Sequence, residues 1–179
     1  MRGAGSLAHE WGHALDLYVA RTYNMDSLMA TEASFLESRQ GKVPFKELMH
    51  TMKYNGNEKT EYYKNAEKLD QTFSKTDQGY WRSDVELFAR AFASYVHDKL
   101  PANSSDYLIG HSEMIALDVQ DGNTVQIPTS PQDKEREAIN QAFDKALESL
   151  KEKEILHHYV RKEKKEVKKP EKEETKTAG

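Results

Sequence analysis

Five residues near the start of the chain combine types and spacing that could do chemistry: His9-Glu10-Trp11-Gly12-His13. Two histidines at i and i+4 on a helix lie one turn apart and roughly 40° around the axis, so both imidazoles can reach one ion. A glutamate directly after the first histidine stands at the flank of that ion, where it can take a proton from an activated water. This donor set suits zinc, which brings the pKa of a bound water down toward neutrality. On a helical wheel His9, His13 and Asp16 fall within roughly 60° of one another. Leu7, Trp11, Ala14, Leu15 and Tyr18 centre on the opposite side. The pattern predicts an apolar back to bury and a polar front carrying the histidines. A helix-surface cluster without metal is the plain alternative.

Two ligands do not complete a site. The other histidines are His50, His97, His111, His157 and His158, and the position six residues after His13 is Val19 rather than a third histidine. That spacing argues against a three-histidine set. Glu86 is the best third ligand. It shares a helical face with Arg90, Ala93 and His97, while Val85, Phe88, Phe92, Tyr95 and Val96 lie on or near the other face. His97 is too far along that helix, about 16 Å, to bind the same ion. Ser83 with Glu86 three residues on is also a capping-box signature, which would explain Glu86 without a metal. Glu58, Glu61 and His111 are weaker substitutes.

The elements that must position these residues are mainly helical. The periodicity predicts helices over 6–23, 44–52, 60–73 and 132–158, and one following Ser83 that ends before Pro101. Asn55-Gly56-Asn57 reads as a turn and Gly79 as the centre of a loop. Residues 106–127 form either a short β-hairpin or loop structure around Gly110 and Asp121-Gly122-Asn123. Beyond Arg161 the chain is Lys/Glu-rich and reads as a solvated helix end fraying into a disordered tail. The expected division is a domain over 1–150 and a charged tail over 151–179.

Composition narrows the function classes. The chain has 179 residues, a net charge of −4 and no cysteine, which excludes disulfides, thiol catalysis and cysteine-ligated zinc. Residues 151–179 hold ten basic and seven acidic side chains, leaving 16 basic and 23 acidic on the first 150. So acidic a body argues against a specific nucleic-acid partner. No apolar run approaches the roughly 20 residues of a membrane span. No signal peptide is visible, so the expected location is cytoplasmic.

The segment Gly5-Ser6-Leu7-Ala8-His9-Glu10-Trp11-Gly12-His13-Ala14-Leu15-Asp16, followed by Glu86-Leu87-Phe88-Ala89-Arg90-Ala91-Phe92-Ala93-Ser94-Tyr95-Val96, resembles the zincin-like large polyvalent protein-associated domain. Such domains occur in large proteins of phages and conjugative elements. Tyr80-Trp81, Asp106-Tyr107-Leu108 and the stretch from Pro131 to Phe143 extend the resemblance over roughly residues 3–148. The second motif is also similar to the third-ligand helix of gluzincin metallopeptidases. By that resemblance His9, His13 and Glu86 are zinc ligands and Glu10 is the general base. Tyr80 matches a tyrosine that assists the developing oxyanion; packing beside Trp81 is its other explanation. Asp16 would hold a histidine or an arginine from behind the ligands, or else be a surface carboxylate. Arg90 would pair with a carboxylate near the site, with substrate, or in a plain salt bridge.

Zincins place a β-sheet before the active-site helix, and here eight residues precede His9. The chain is then a fragment of a longer protein or a shortened relative, with residues 106–127 one possible replacement for the sheet. Three functions are in play. The first is zinc-dependent hydrolysis of a peptide or protein. The second is a non-catalytic module with a structural metal or a binding role within a longer polyprotein. The third is a metal-free interaction domain.

Overall fold

The computed structural model of the chain describes residues 7–25, 28–33, 37–38, 41–42, 44–101, 108 and 115–156. Among them are five helices: α1 (Leu7–Thr22), α2 (Lys46–Lys53), α3 (Glu61–Phe73), α4 (Asp84–Lys99) and α5 (Asp133–Glu152). Three antiparallel two-stranded hairpins join them: β1–β2 (Glu37–Ser38, Gly41–Lys42), β3–β4 (Tyr54–Asn55, Glu58–Lys59) and β5–β6 (Ile115–Gln120, Asn123–Pro128). The mainly helical reading holds. The 106–127 region resolves into a hairpin over 115–128, whose pairing of Gln120 with Asn123 leaves Asp121-Gly122 as a two-residue loop. Both loop residues have positive φ, 50° and 80°, the I′ geometry that matches strand twist.

The core gathers one apolar face from each helix. Phe45, Leu48 and Met52, Phe88, and Ile139, Phe143 and Leu150 are completely or almost completely buried, with Val19 from α1 and Tyr62 from α3 against them. Phe88 is the hub, its ring 4.9 Å from Phe45 and 5.4 Å from Phe143. Polar clamps fix the helices around this core. Glu135 on α5 accepts the amides of Glu61 and Tyr62 at 2.7 and 3.0 Å, satisfying the first turn of α3. Arg136 grips Asp98 with two 2.7 Å bonds, tying α5 to α4.

The last helix is shorter than its periodicity suggests. Glu154 at φ 57° turns the chain, and the amides of Ile155 and Glu154 bond the carbonyls of Leu150 and Lys151. This is a Schellman ending with glutamate at the left-handed position normally given to glycine, so the sequence carries no stop signal there. Ile155 and Leu156 fold back onto the core. His111, His157, His158 and the tail beyond lie outside the described residues.

Candidate metal centre

Helices α1 and α4 cross at Gly12. A Cβ at that position would stand 3.0 Å from Ala89 Cα and 3.3 Å from Phe92 Cβ. Only a residue without a side chain lets the two backbones approach so closely. The crossing carries Glu86, one turn before Ala89 and Arg90, up to the two histidines. His9 Nε2 and His13 Nε2 are 3.1 Å apart. Glu86 Oε1 is 3.2 Å from His13 Nε2, and Oε2 is 3.5 Å from His9 Nε2.

These spacings can be compared with what an ion requires. Donor atoms about 2.0–2.1 Å from one tetrahedral zinc lie about 3.3 Å from each other. The three edges of the cluster, 3.1, 3.2 and 3.5 Å, bracket that value. Glu86 is 7 % exposed, and its buried Oε2 has no hydrogen-bond partner. A buried carboxylate oxygen without a donor costs free energy unless a cation or proton satisfies it. The residues present therefore fit a His₂Glu-bound divalent ion.

Electrostatics bind the trio further. Burial alone would push the Glu86 carboxyl up, but the two imidazoles beside it, His13 first and then His9, outweigh it and hold it well below the ordinary carboxylate range. The Glu86 hydrogen bond raises His13 against the opposing effect of burial, with the charges of Glu86, Glu10 and Asp16 adding to it. Glu86 is thus taken up by the histidines. Ser83 is the N-cap of α4 without a side-chain cap bond, and its hydroxyl donates to Tyr80 O at 2.8 Å instead. The capping-box explanation of Glu86 does not hold.

The helical wheels are corrected too. The buried residues of α1 are Ala8, Gly12, Asp16, Val19 and Ala20. Trp11 and Tyr18, on the supposed apolar back, are 48 and 46 % exposed. Small side chains decide which face of α1 can approach α4, and they outvote the bulky apolar ones. On α4 the face of Glu86, Arg90 and Ala93 is buried along with the apolar one.

The remaining candidates fall as follows. Glu10 is exposed, and its charge reaches His13 and Tyr80. Tyr80 is half-exposed; burial first, then the Glu86 charge, push its phenol up to about 12. Its ring also meets Trp81 edge-on at 5.7 Å, so the packing and the approach to the cluster coexist.

Asp16 is fully buried rather than a surface carboxylate. Its oxygens accept the Thr31 amide at 2.9 Å and hydroxyl at 2.7 Å, and only its charge acts on His13. Arg90 is also buried, and its guanidinium donates to two carbonyls, Thr129 O at 2.9 Å and Trp81 O at 2.7 Å. A plain salt bridge is not what holds it. Glu58 is exposed, and Glu61 pairs with Lys64 at 2.8 Å. Sequence reasoning missed Gly12 and Asp70. Gly12 carried a signal, since it sits inside the histidine motif facing the partner helix.

Residues 72–154 match the family model of large polyvalent protein-associated domain 1. The matched segment contains Tyr80, Glu86 and Arg90 but begins after the histidine pair, so it is narrower than the resemblance over 3–148. No curated protein and no solved structure matches the chain. No helix among the described residues is long and apolar enough to cross a membrane.

Proposed function

We propose that this chain is a zinc-dependent peptide-bond hydrolase built on His9, His13 and Glu86. The observation that carries the reading is the convergence of these three donors from two helices, all ligand atoms within 4.8 Å of one another. Bound there, zinc would supply a Lewis acid that acidifies water and polarises the scissile carbonyl. Three protein ligands leave a position open to solvent and substrate. Glu10 takes the proton of the attacking water and returns it to the leaving amine. Tyr80, protonated at neutral pH, donates a hydrogen bond to the carbonyl oxygen as that atom gains charge. The substrate is a peptide or protein in the cytoplasm of a bacterial host. The chain acts there as one domain of a larger mobile-element protein, a setting that the polyvalent-protein match over 72–154 favours.

The exposed Trp11 and Tyr18, sharing one face of α1, favour a second reading. An apolar helix face of this kind suits a module that docks on a neighbouring domain, with its metal as a structural staple.

Elemental analysis of the purified chain beside His13→Ala and Glu86→Ala tests the site. One zinc per chain, lost in both variants, is the expected result. No zinc even when it is offered refutes the metal reading. Hydrolysis of an unfolded general protein substrate, abolished by Glu10→Gln with zinc retained, then separates the hydrolase from the structural module.

A further inference from the structure

The loop that presents Tyr80 is held by one buried side chain at the end of α3. Asp70 is 7 % exposed. Its Oδ1 accepts the amides of Tyr80 at 2.6 Å and Trp81 at 2.8 Å, together with the Ser74 hydroxyl at 2.6 Å. Its Oδ2 accepts the Arg82 amide at 2.9 Å. Three successive backbone N–H groups converging on one carboxylate make a nest, an arrangement that fixes a short loop rigidly. Gly79 makes the approach possible. Its φ is +72°, and a Cβ there would stand 2.6 Å from Asp70 Oδ2. The far side of the loop is clamped by Arg90 through Trp81 O and by Ser83 through Tyr80 O.

We infer that Asp70 is a positioning residue for the metal centre: its carboxylate latches residues 80–82, the loop that Arg90 ties to α4 one turn from Glu86, so that Tyr80 is held at the Glu86 end of that helix. Asp70 touches neither ligand nor substrate and acts only through Tyr80. Its meaning for catalysis rests on the hydrolase reading; the latch itself does not. A half-exposed tyrosine on a ten-residue connection between α3 and α4 would otherwise sample many rotamers, and positioning it in advance removes that entropy from the reaction.

The test uses the whole chain without metal. In the wild type, NMR should show cross-relaxation between the Tyr80 ring and the Glu86 side chain, and slow exchange at the amides of 80–82. In Asp70→Ala those amides should exchange at least about tenfold faster, and the Tyr80–Glu86 cross-peaks should vanish, while amides of α1 and α4 keep their protection. Should Asp70→Ala fail to fold, Asp70→Asn and Gly79→Ala carry the same readout with milder damage. Persistence of the cross-peaks in a folded variant overturns the inference, and so does loop opening with Tyr80 still beside Glu86. Zinc content is measured on the same samples. A wild type that binds no zinc sinks the metal reading and leaves the latch result standing. Where hydrolysis is present, Asp70→Ala should lower kcat with KM little changed, and add nothing in a Tyr80→Phe background. Additive losses overturn the positioning role.

Discussion

Gly12 of α1 and Ala89 of α4 meet backbone to backbone, at a distance where even one methyl group would stand 3.0 Å from the Ala89 Cα. Everything in the candidate centre follows from that approach. His9 and His13 flank Gly12 on α1, and Glu86 lies three residues before Ala89 on α4. A small shift of either helix would pull Glu86 off the histidines, because a ligand set within hydrogen-bonding distance tolerates little displacement.

Gly12→Ala should therefore break the site as well as the packing. Alanine gains about 1 kcal/mol of helix propensity over glycine. The overlap is with backbone, which cannot rotate away, and overpacking of this kind costs about 1–3 kcal/mol. The expected outcome is a net loss of stability in denaturant unfolding together with at least tenfold weaker zinc binding, about 1.4 kcal/mol. A variant of unchanged stability and affinity would show that the helices can separate freely.

The same glycine divides what the sequence made legible from what it did not. The clustering of His9, His13 and Glu86 was legible, the histidines from their i, i+4 spacing and Glu86 from the resemblance of its helix to a known motif. The helices were legible from periodicity, and the break at Asp121-Gly122-Asn123 from its residue types, though these left hairpin and loop both open. The orientation of α1 was not. A wheel weights side chains by apolarity, and it sent Trp11 and Tyr18 inward. The fold instead buries Ala8, Gly12 and Asp16, where closeness matters more than area. Asp70 was illegible for another reason: its partners are backbone amides, which every residue has.

Acidity should act oppositely on the metal-free and zinc-loaded chains. His13 is raised by its bond to Glu86, so its contribution to stability is fully present below the unfolded value of 6.5 and fades as pH rises through the higher folded value. Zinc needs neutral imidazole, so its binding strengthens over the same rise. Melting temperatures measured from about pH 5.5 to about pH 8 should show the zinc-induced increase growing steadily. An increase independent of pH would mean that zinc binds away from His9 and His13.

Arg90 links α4 to the Tyr80 loop and to the end of β6 through the carbonyls of Trp81 and Thr129. Its guanidinium also lies 5.1 Å from the Trp81 ring centroid, a stacked geometry lysine does not reproduce. Arg90→Lys can reach one of the two carbonyls at best and loses a hydrogen bond from a charged donor, at a cost of about 1–3 kcal/mol. Urea unfolding should register that loss, and exchange at the 80–82 amides should quicken. Wild-type stability in Arg90→Lys would mean that the two carbonyls have other donors.

Asp16 gives the cleanest pH signature in the fold. Burial raises its carboxyl from 3.8 to about 6, against the lowering effect of the Thr31 bonds and the His13 charge. The folded chain thus keeps a proton that the unfolded chain has already lost. The associated stability is complete below 3.8 and is lost as pH rises to about 6. A shift of this size corresponds to on the order of 3 kcal/mol. Asp16→Asn keeps an acceptor for the Thr31 amide and a donor for its hydroxyl, and has no proton to lose. Its stability measured against the wild type should climb across that window and stay higher at neutral pH. Asp16→Ala instead strands both Thr31 donors and should be less stable throughout. If Asp16→Asn tracks the wild type at every pH, the carboxylate is already ionised in the folded chain and the Thr31 bonds outweigh its burial.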